Sequence, residues 1–232
     1  MTTFQPQRAL IVGAGPGLSA ALAKCFAGAG MQVALAARGP DKISAVASQT
    51  GSAVFHCDAA DSDSVAKLFE EVERGIGIPD VVVYNPSARV RGPLVDLNPD
   101  EVRRAVSISA LGGMYVAHQA ARRMLPRGQG AILFTGASAS VKGYPQSAAF
   151  AMGKFALRGL AQSIARELAP QGIHVAHFVI DGRINPSPRD QTVTDESMLD
   201  PDAIAATYLN VLRQPRSAWT WEVELRPWTE KF

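Results

Sequence analysis

Cysteine is nearly absent: the 232 residues hold only Cys25 and Cys57, far apart and each set in an apolar pattern. That excludes a disulfide-stapled scaffold and points to free, buried thiols. Histidine is scarce as well. His56, His118, His174 and His177 show no metal-ligand spacing. The last two, in "GIHVAHFVI", stand three apart, which puts them on opposite faces of a strand, so no metal site is expected. No apolar run reaches the roughly 18 residues a membrane span needs. The start, "MTTFQPQRALIVGAG", lacks the long apolar segment of a secretory signal. A cytoplasmic protein with no membrane partner follows as the expectation. Charge of one sign is missing too: 23 basic against 21 acidic residues leave a dispersed +2, too little to argue for nucleic acid. Repeats, low-complexity tracts and interdomain linkers are all lacking, so residues 1–232 are expected to form a single domain.

What is present is alternation. Short β-rich runs at 8–13, 32–37, 53–57, 80–85, 131–136, 174–180 and 220–226 are separated by helical periodicity at 17–29, 40–50, 61–74, 99–124, 146–169 and 201–213. Most of the runs are continuously apolar, as strands buried on both faces are. Strand-helix alternation of this kind predicts an α/β, doubly wound parallel sheet of about seven strands, with helices on both faces. Asp200 and Pro201 suit the N-cap and first turn of the last helix. Between the sixth strand and that helix lies "DGRINPSPRDQTVTDESMLDPD", 181–202, polar and without strong periodicity. A loop of that length in a compact domain reads as a substrate lid.

The first strand runs into "GAGPGLS", with glycines at 13, 15 and 17, and a helix opens at once. Glycines allow the tight turn and the close approach of backbone amides to a diphosphate, which the helix N-terminus then favours. Two phases fit a dinucleotide pattern, Gly13-x3-Gly17-x-Ser19 and Gly15-x-Gly17-x2-Ala20. The second strand ends "ALAARGPDK". Ala37 stands where a carboxylate would grip a ribose 2′-hydroxyl, and Arg38 follows, able to hold a 2′-phosphate by a charge-assisted fork. NADP(H) is therefore expected to be preferred over NAD(H), a solvated strand-end charge being the alternative for Arg38.

Together with "AAFAMGKFALRGLAQSIARELAP" (148–170), these residues resemble the short-chain dehydrogenase/reductase family from Leu10 to about Arg226. The resemblance implies a Rossmann fold and a cofactor loop of Gly13, Gly15, Pro16, Gly17 and Leu18, with Ser19 in place of a third glycine. It implies adenine contacts at Asp58 and Ala59, and leaves Asn85 of the family's Asn-Asn-Ala-Gly in "YNPS". Gly182 and Ile184 correspond to the segment that lies against nicotinamide. The family's Tyr-x-x-x-Lys becomes Phe150-x-x-x-Lys154, so the lysine that holds the nicotinamide ribose is present without its tyrosine. At the family's serine position stands Ala137, and Ser138 follows, either as a displaced catalytic hydroxyl or as a surface hydroxyl in a turn. The family's asparagine aligns with Ser109. Tyr144, just ahead of the helix, is the first candidate for a replacement acid, then Lys154 through a water and Ser138. Phe150 is either a relic or an apolar wall for an activated carbonyl or imine.

The reading is an NADP-dependent oxidoreductase with a modified active site, transferring hydride between nicotinamide and a small carbonyl or alcohol. The alternative is a catalytically weak or inactive dinucleotide-binding protein with a sensor or interaction role. Arg89 and Arg91 follow the fourth strand on the ligand side; a solvated loop is preferred to attraction of an acidic substrate. Relatives of this family pair through the helices aligned with 99–124 and 146–169, implying a homodimer or homotetramer. Trp228 and Phe232 are left with two alternatives, covering the pocket or a neighbouring subunit.

Overall fold

In the computed structural model, residues 4–185 and 196–230 are described. Alternate residues of the short apolar runs face opposite sides of one sheet. Its strands are β1 (Arg8–Val12), β2 (Gln32–Ala37), β3 (Ala53–His56), β4 (Val81–Tyr84), β5 (Gly130–Thr135), β6 (Ile173–Ile180) and β7 (Glu222–Leu225). All pairs are parallel, in the order β3-β2-β1-β4-β5-β6-β7. The helices are α1 (Leu18–Gly28), α2 (Ser44–Thr50), α3 (Ser62–Ile76), α4 (Pro99–Val106), α5 (Gly112–Met124), α6 (Ala148–Leu168) and α7 (Pro201–Leu212). Ala9, Ile11, Val81, Val83 and Leu133 join α1 and α7 in one core. Leu10, Val12, Val82, Ile132 and Phe134 join α3, α5 and α6 in the other. Both faces of the central strands β1, β4 and β5 are covered, which is why these carry no polar alternation, whereas the edge strand β7 alternates Glu222 and Glu224 with Val223 and Leu225; each fully buried Leu, Val or Phe contributes about 1.5–3 kcal/mol.

Helix starts follow the sequence signals. Asp61, Asn98 and Asp200 cap α3, α4 and α7 through their side chains, with Pro99 and Pro201 in the first turns. Two expectations need correction. The helix read over 40–50 begins as a 3₁₀ turn, Pro40–Ile43. The helix read over 99–124 is interrupted by a π-helical turn, Ser107–Leu111. Here the buried Tyr84 hydroxyl donates to the Ile108 carbonyl, drawing it out of the regular ladder, and a Cβ at Gly112 would collide with that same phenol. Cys57 is buried as expected, but Cys25 is only partly so, and both are free.

Strand order reverses between β1 and β4. The crevice beyond the carboxyl ends of strands at such a point is where open α/β sheets take ligands.

Candidate active site

Gly13 closes β1 with φ +80°, and a Cβ there would sit 2.6 Å from Pro86 N. Only glycine satisfies both demands. Ser19, in the third-glycine position of the phase beginning at Gly13, donates from Oγ to the Gly13 carbonyl at 3.1 Å. Asn85 Nδ2 donates to Ser19 Oγ at 2.8 Å, so these two side chains clip the turn to α1 and β4. Gly17 caps α1 without any side-chain bond, and the first turn carries no carboxylate. Ala20 and Ala21 N–H donate to the Gly17 carbonyl, so it is the amides ahead of them that face an anion. Nothing lies within 4 Å of a Cβ built at Gly15 or Gly17, so the space above them is open. This donor set fits a dinucleotide diphosphate.

Two connected clefts extend from the turn, sharing Gly15, Asn85 and Ser87. The first, about 620 Å³, is lined by Ala37, Arg38, Asp58 and Ala59, and also by Lys42. Lys42 went unremarked in the sequence, although "ARGPDK" contains it; the 3₁₀ turn after β2 is what brings it round beside Arg38. Burial works to raise the Asp58 pKa, but the Ala60 amide at 3.0 Å and the Arg104 guanidinium at 3.2 Å bring it below the usual carboxylate value.

The second cleft, about 830 Å³, holds Ser138, Tyr144, Phe150, Lys154, Gly182 and Ile184 together. Lys154 is 2% exposed, and its Nζ donates to the Thr135 carbonyl at 2.7 Å. Burial, helped by the charge of Arg89, lowers its pKa to about 7. Thr135 is braced in turn by Tyr208 of α7, whose hydroxyl lies 2.9 Å from Thr135 Oγ1. Tyr144 is 48% exposed on the cleft wall. Burial tends to raise the Asp181 pKa, yet hydrogen bonds from Ser138 and Lys142, with the Arg226 charge, hold it below the usual value. The Ser138 hydroxyl is thus engaged by Asp181. Ser109 is fully buried and accepts from the Ala88 amide at 3.3 Å.

Arg89 and Arg91 are exposed on the irregular chain after β4, in keeping with the solvated loop expected of them. Both line this cleft, and Arg89 Cζ lies 4.3 Å from the Phe150 ring centroid. Residues 186–195 of the expected lid lie outside the described residues. Its flanks meet, with Leu199 N donating to Arg183 O and Asn185 N to Leu199 O. Trp228 is exposed and donates from Nε1 to Glu196 at 3.0 Å; Phe232 lies outside the described residues.

Behind the cleft, His177 Nε2 lies 3.3 Å from Ser140 Oγ, and its Nδ1 lies 3.0 Å from Glu222 Oε2. Arg158 clamps Glu222 with two bonds of 2.6 and 2.7 Å. His174, on the other face of β6, stacks on Trp219 instead. Among the described residues no cluster of three possible metal ligands occurs.

A doubly wound parallel sheet, with a glycine turn at its switch point and a buried lysine across the cleft, is an architecture shared with dinucleotide-dependent oxidoreductases. Comparison narrows this. Residues 13–210 match a family model described as enoyl-(acyl carrier protein) reductase. A crystal structure of a short-chain dehydrogenase from Rhodopseudomonas palustris superposes with TM-score 0.82 and 33% identity, covering 95% of this chain and 99% of that one. The chain belongs to the short-chain dehydrogenase/reductase family. An alcohol dehydrogenase from Thermococcus sibiricus, solved with 5-hydroxy-NADP, shares the fold at TM-score 0.85 and 24% identity over 97% of this chain and 98% of that one. An uncharacterized oxidoreductase of Staphylococcus aureus is 26% identical over 98% of this chain and all of its own. A cyclic-di-GMP-binding biofilm dispersal mediator of Escherichia coli is 33% identical over 75% of this chain and 72% of its own.

Proposed function

We propose that the chain is an NADP(H)-preferring oxidoreductase acting on a small carbonyl or alcohol through a modified active site. The observation that carries this reading is the pairing, along one connected cleft, of the uncapped α1 N-terminus with a buried Lys154 that has no carboxylate partner among the described residues. In this reading Gly13–Leu18 hold the diphosphate, while Asp58 and Ala59 border the adenine. Arg38 and Lys42 hold the 2′-phosphate, and Gly182, Ile184 and Lys154 border the nicotinamide ribose. Bound there, a nicotinamide dinucleotide supplies or accepts hydride. The chain itself orients the carbonyl and holds a proton for its oxygen. With Phe150 unable to donate, Lys154 Nζ is suited by its pKa to release one directly or through water, and Tyr144 and Ser138 are the further hydroxyls of the cleft. Exposed apolar side chains on α5 and α6 support self-association as a homodimer or homotetramer.

Fluorescence titration tests the cofactor assignment. NADPH is expected to bind at least about tenfold more tightly than NADH, the worth of one charge-assisted contact. Arg38→Leu with Lys42→Leu should erase the difference, and equal affinities in the unaltered chain would refute the preference.

A second reading, a nucleotide-responsive binding protein without turnover, is favoured by Phe150, Ala137 and Ser109 at the family's catalytic positions and by the cyclic-di-GMP-binding relative. Carbonyl-panel assays, run beside a cyclic-di-GMP titration, separate the two.

A further inference from the structure

Three guanidinium groups and an ammonium line the cleft of about 830 Å³, from Arg89, Arg91, Arg183 and Lys154; the only carboxylate among its described lining residues is Glu230. Elsewhere Arg103, Arg104, Arg123, Arg127, Arg158 and Arg226 each lie against a carboxylate, while others such as Arg38 and Arg122, outside this cleft, have none among the described residues. Among the described residues Arg89, Arg91 and Arg183 have no such partner. Arg89 is the best placed of them. Its guanidinium rests on the Phe150 ring, 4.3 Å from the centroid, and Lys154 Nζ lies 6.0 Å from that same centroid. The ring holds the guanidinium by a cation–π contact, and its N–H donors meet no carboxylate among the described residues. Like charges kept together around one ring repel, unless an anion joins them.

We propose that the substrate carries an anionic group, carboxylate or phosphate, which Arg89 grips from its seat on Phe150 while Arg91 and Arg183 draw it into the cleft. This assignment rests on the oxidoreductase reading above. It gives the ring at position 150 a task without a hydroxyl: it is the platform for the anion-binding cation.

The test measures binding first. The complex with NADPH is titrated with oxamate, which accepts no hydride, with its neutral ethyl ester and with methyl phosphate, following nicotinamide fluorescence. One of the two anions should bind at least about tenfold more tightly than the ester, as a charged hydrogen-bonded pair implies. The better anion identifies the group. Arg89→Leu and Arg89→Gln should abolish the preference, Arg89→Lys should keep part of it, and NADPH affinity should stay unchanged. Equal binding of ester and anions overturns the proposal, as does loss of NADPH binding in Arg89→Leu, which would place the guanidinium on the cofactor. In turnover, Arg89→Leu should raise KM for a 2-oxo acid or a phosphorylated ketone more than it lowers kcat, and leave KM for a neutral ketone unmoved. Should NADPH fail to bind the unaltered chain, the oxidoreductase reading falls by itself. Calorimetric titration of the anions into the cofactor-free chain, against Arg89→Leu, then still decides: a clear loss in the variant upholds the anion site, and identical affinities overturn it.

Discussion

An ammonium that is 2% exposed, donating to the Thr135 carbonyl, is costly to keep charged, and burial accordingly lowers the Lys154 pKa from 10.5 to about 7. A group of that pKa is poised as a general acid at neutral pH. If Lys154 supplies the proton, carbonyl reduction should fall as pH rises through about 7. Lys154→Met should then lower the rate by about 10²-fold or more, the range of a positioned acid. Folding responds with its own sign. The folded pKa lies below the unfolded one, so the unfolded chain binds more protons between about 7 and 10.5, and stability rises with pH across that window. Lys154→Met should flatten that rise and melt no lower than the unaltered chain at pH 6; an early-melting variant would contradict it. Tyr144→Phe is expected to cut any reductase rate at least about tenfold if the phenol is the acid, and an unchanged rate would remove Tyr144 from the site. The spacing of Phe150 and Lys154 made this end of the cleft legible in the sequence, because one helical turn fixes both side chains. The seat of Arg89 was not legible. It depends on how the irregular chain after β4 returns over α6, some sixty residues away in sequence, and no periodicity encodes that path.

Elements were read well where burial alone decides them. Seven short β-rich runs became seven strands, and the central ones are continuously apolar because a strand covered on both faces has little other composition available. The π-helical turn at Ser107–Leu111 was missed because its cause is a long-range bond, from the Tyr84 phenol on β4 to the Ile108 carbonyl. The link from β6 to β7 was missed for a similar reason. Burial pushes His177 down to about 4, so at neutral pH the imidazole is uncharged. It then donates from Nδ1 to Glu222 and accepts at Nε2 from Ser140, whose Oγ accepts from the Ala137 amide at 3.2 Å. The chain of bonds runs one way and fixes the 137–140 turn on the cleft wall. His177→Leu strands a buried hydroxyl and should cost about 1–3 kcal/mol in urea denaturation. The unfolded histidine protonates first as pH falls from about 6.5 towards 4, so stability is lost across that interval. The variant should lose less there than the unaltered chain.

At the scale of the molecule, the sheet sets the site and the outer helices leave a face uncovered. Met152 and Phe155 of α6 stand 56% and 45% exposed, and Leu111 and Met114, at and beyond the π-helical turn, 45% and 41%. Between Met152, Phe155 and Gly159 on the exposed side of α6 only Ala156 intervenes, and it is small. Apolar and small side chains at helical spacing suit close packing against another helix, and a second copy of the same chain offers a self-complementary one. The proposed homodimer or homotetramer therefore makes a sharp prediction. Light scattering behind size exclusion should report a multiple of 24.6 kDa at micromolar concentration. Phe155→Glu combined with Met114→Glu places carboxylates on that face, and burying them unpaired costs several kcal/mol, enough to leave separate protomers. NADPH affinity should persist in the separated chain, because both clefts are lined by residues of one copy. An unaltered assembly in the double variant would move the interface elsewhere, and a 24.6 kDa species from the unaltered chain would end the proposal of self-association.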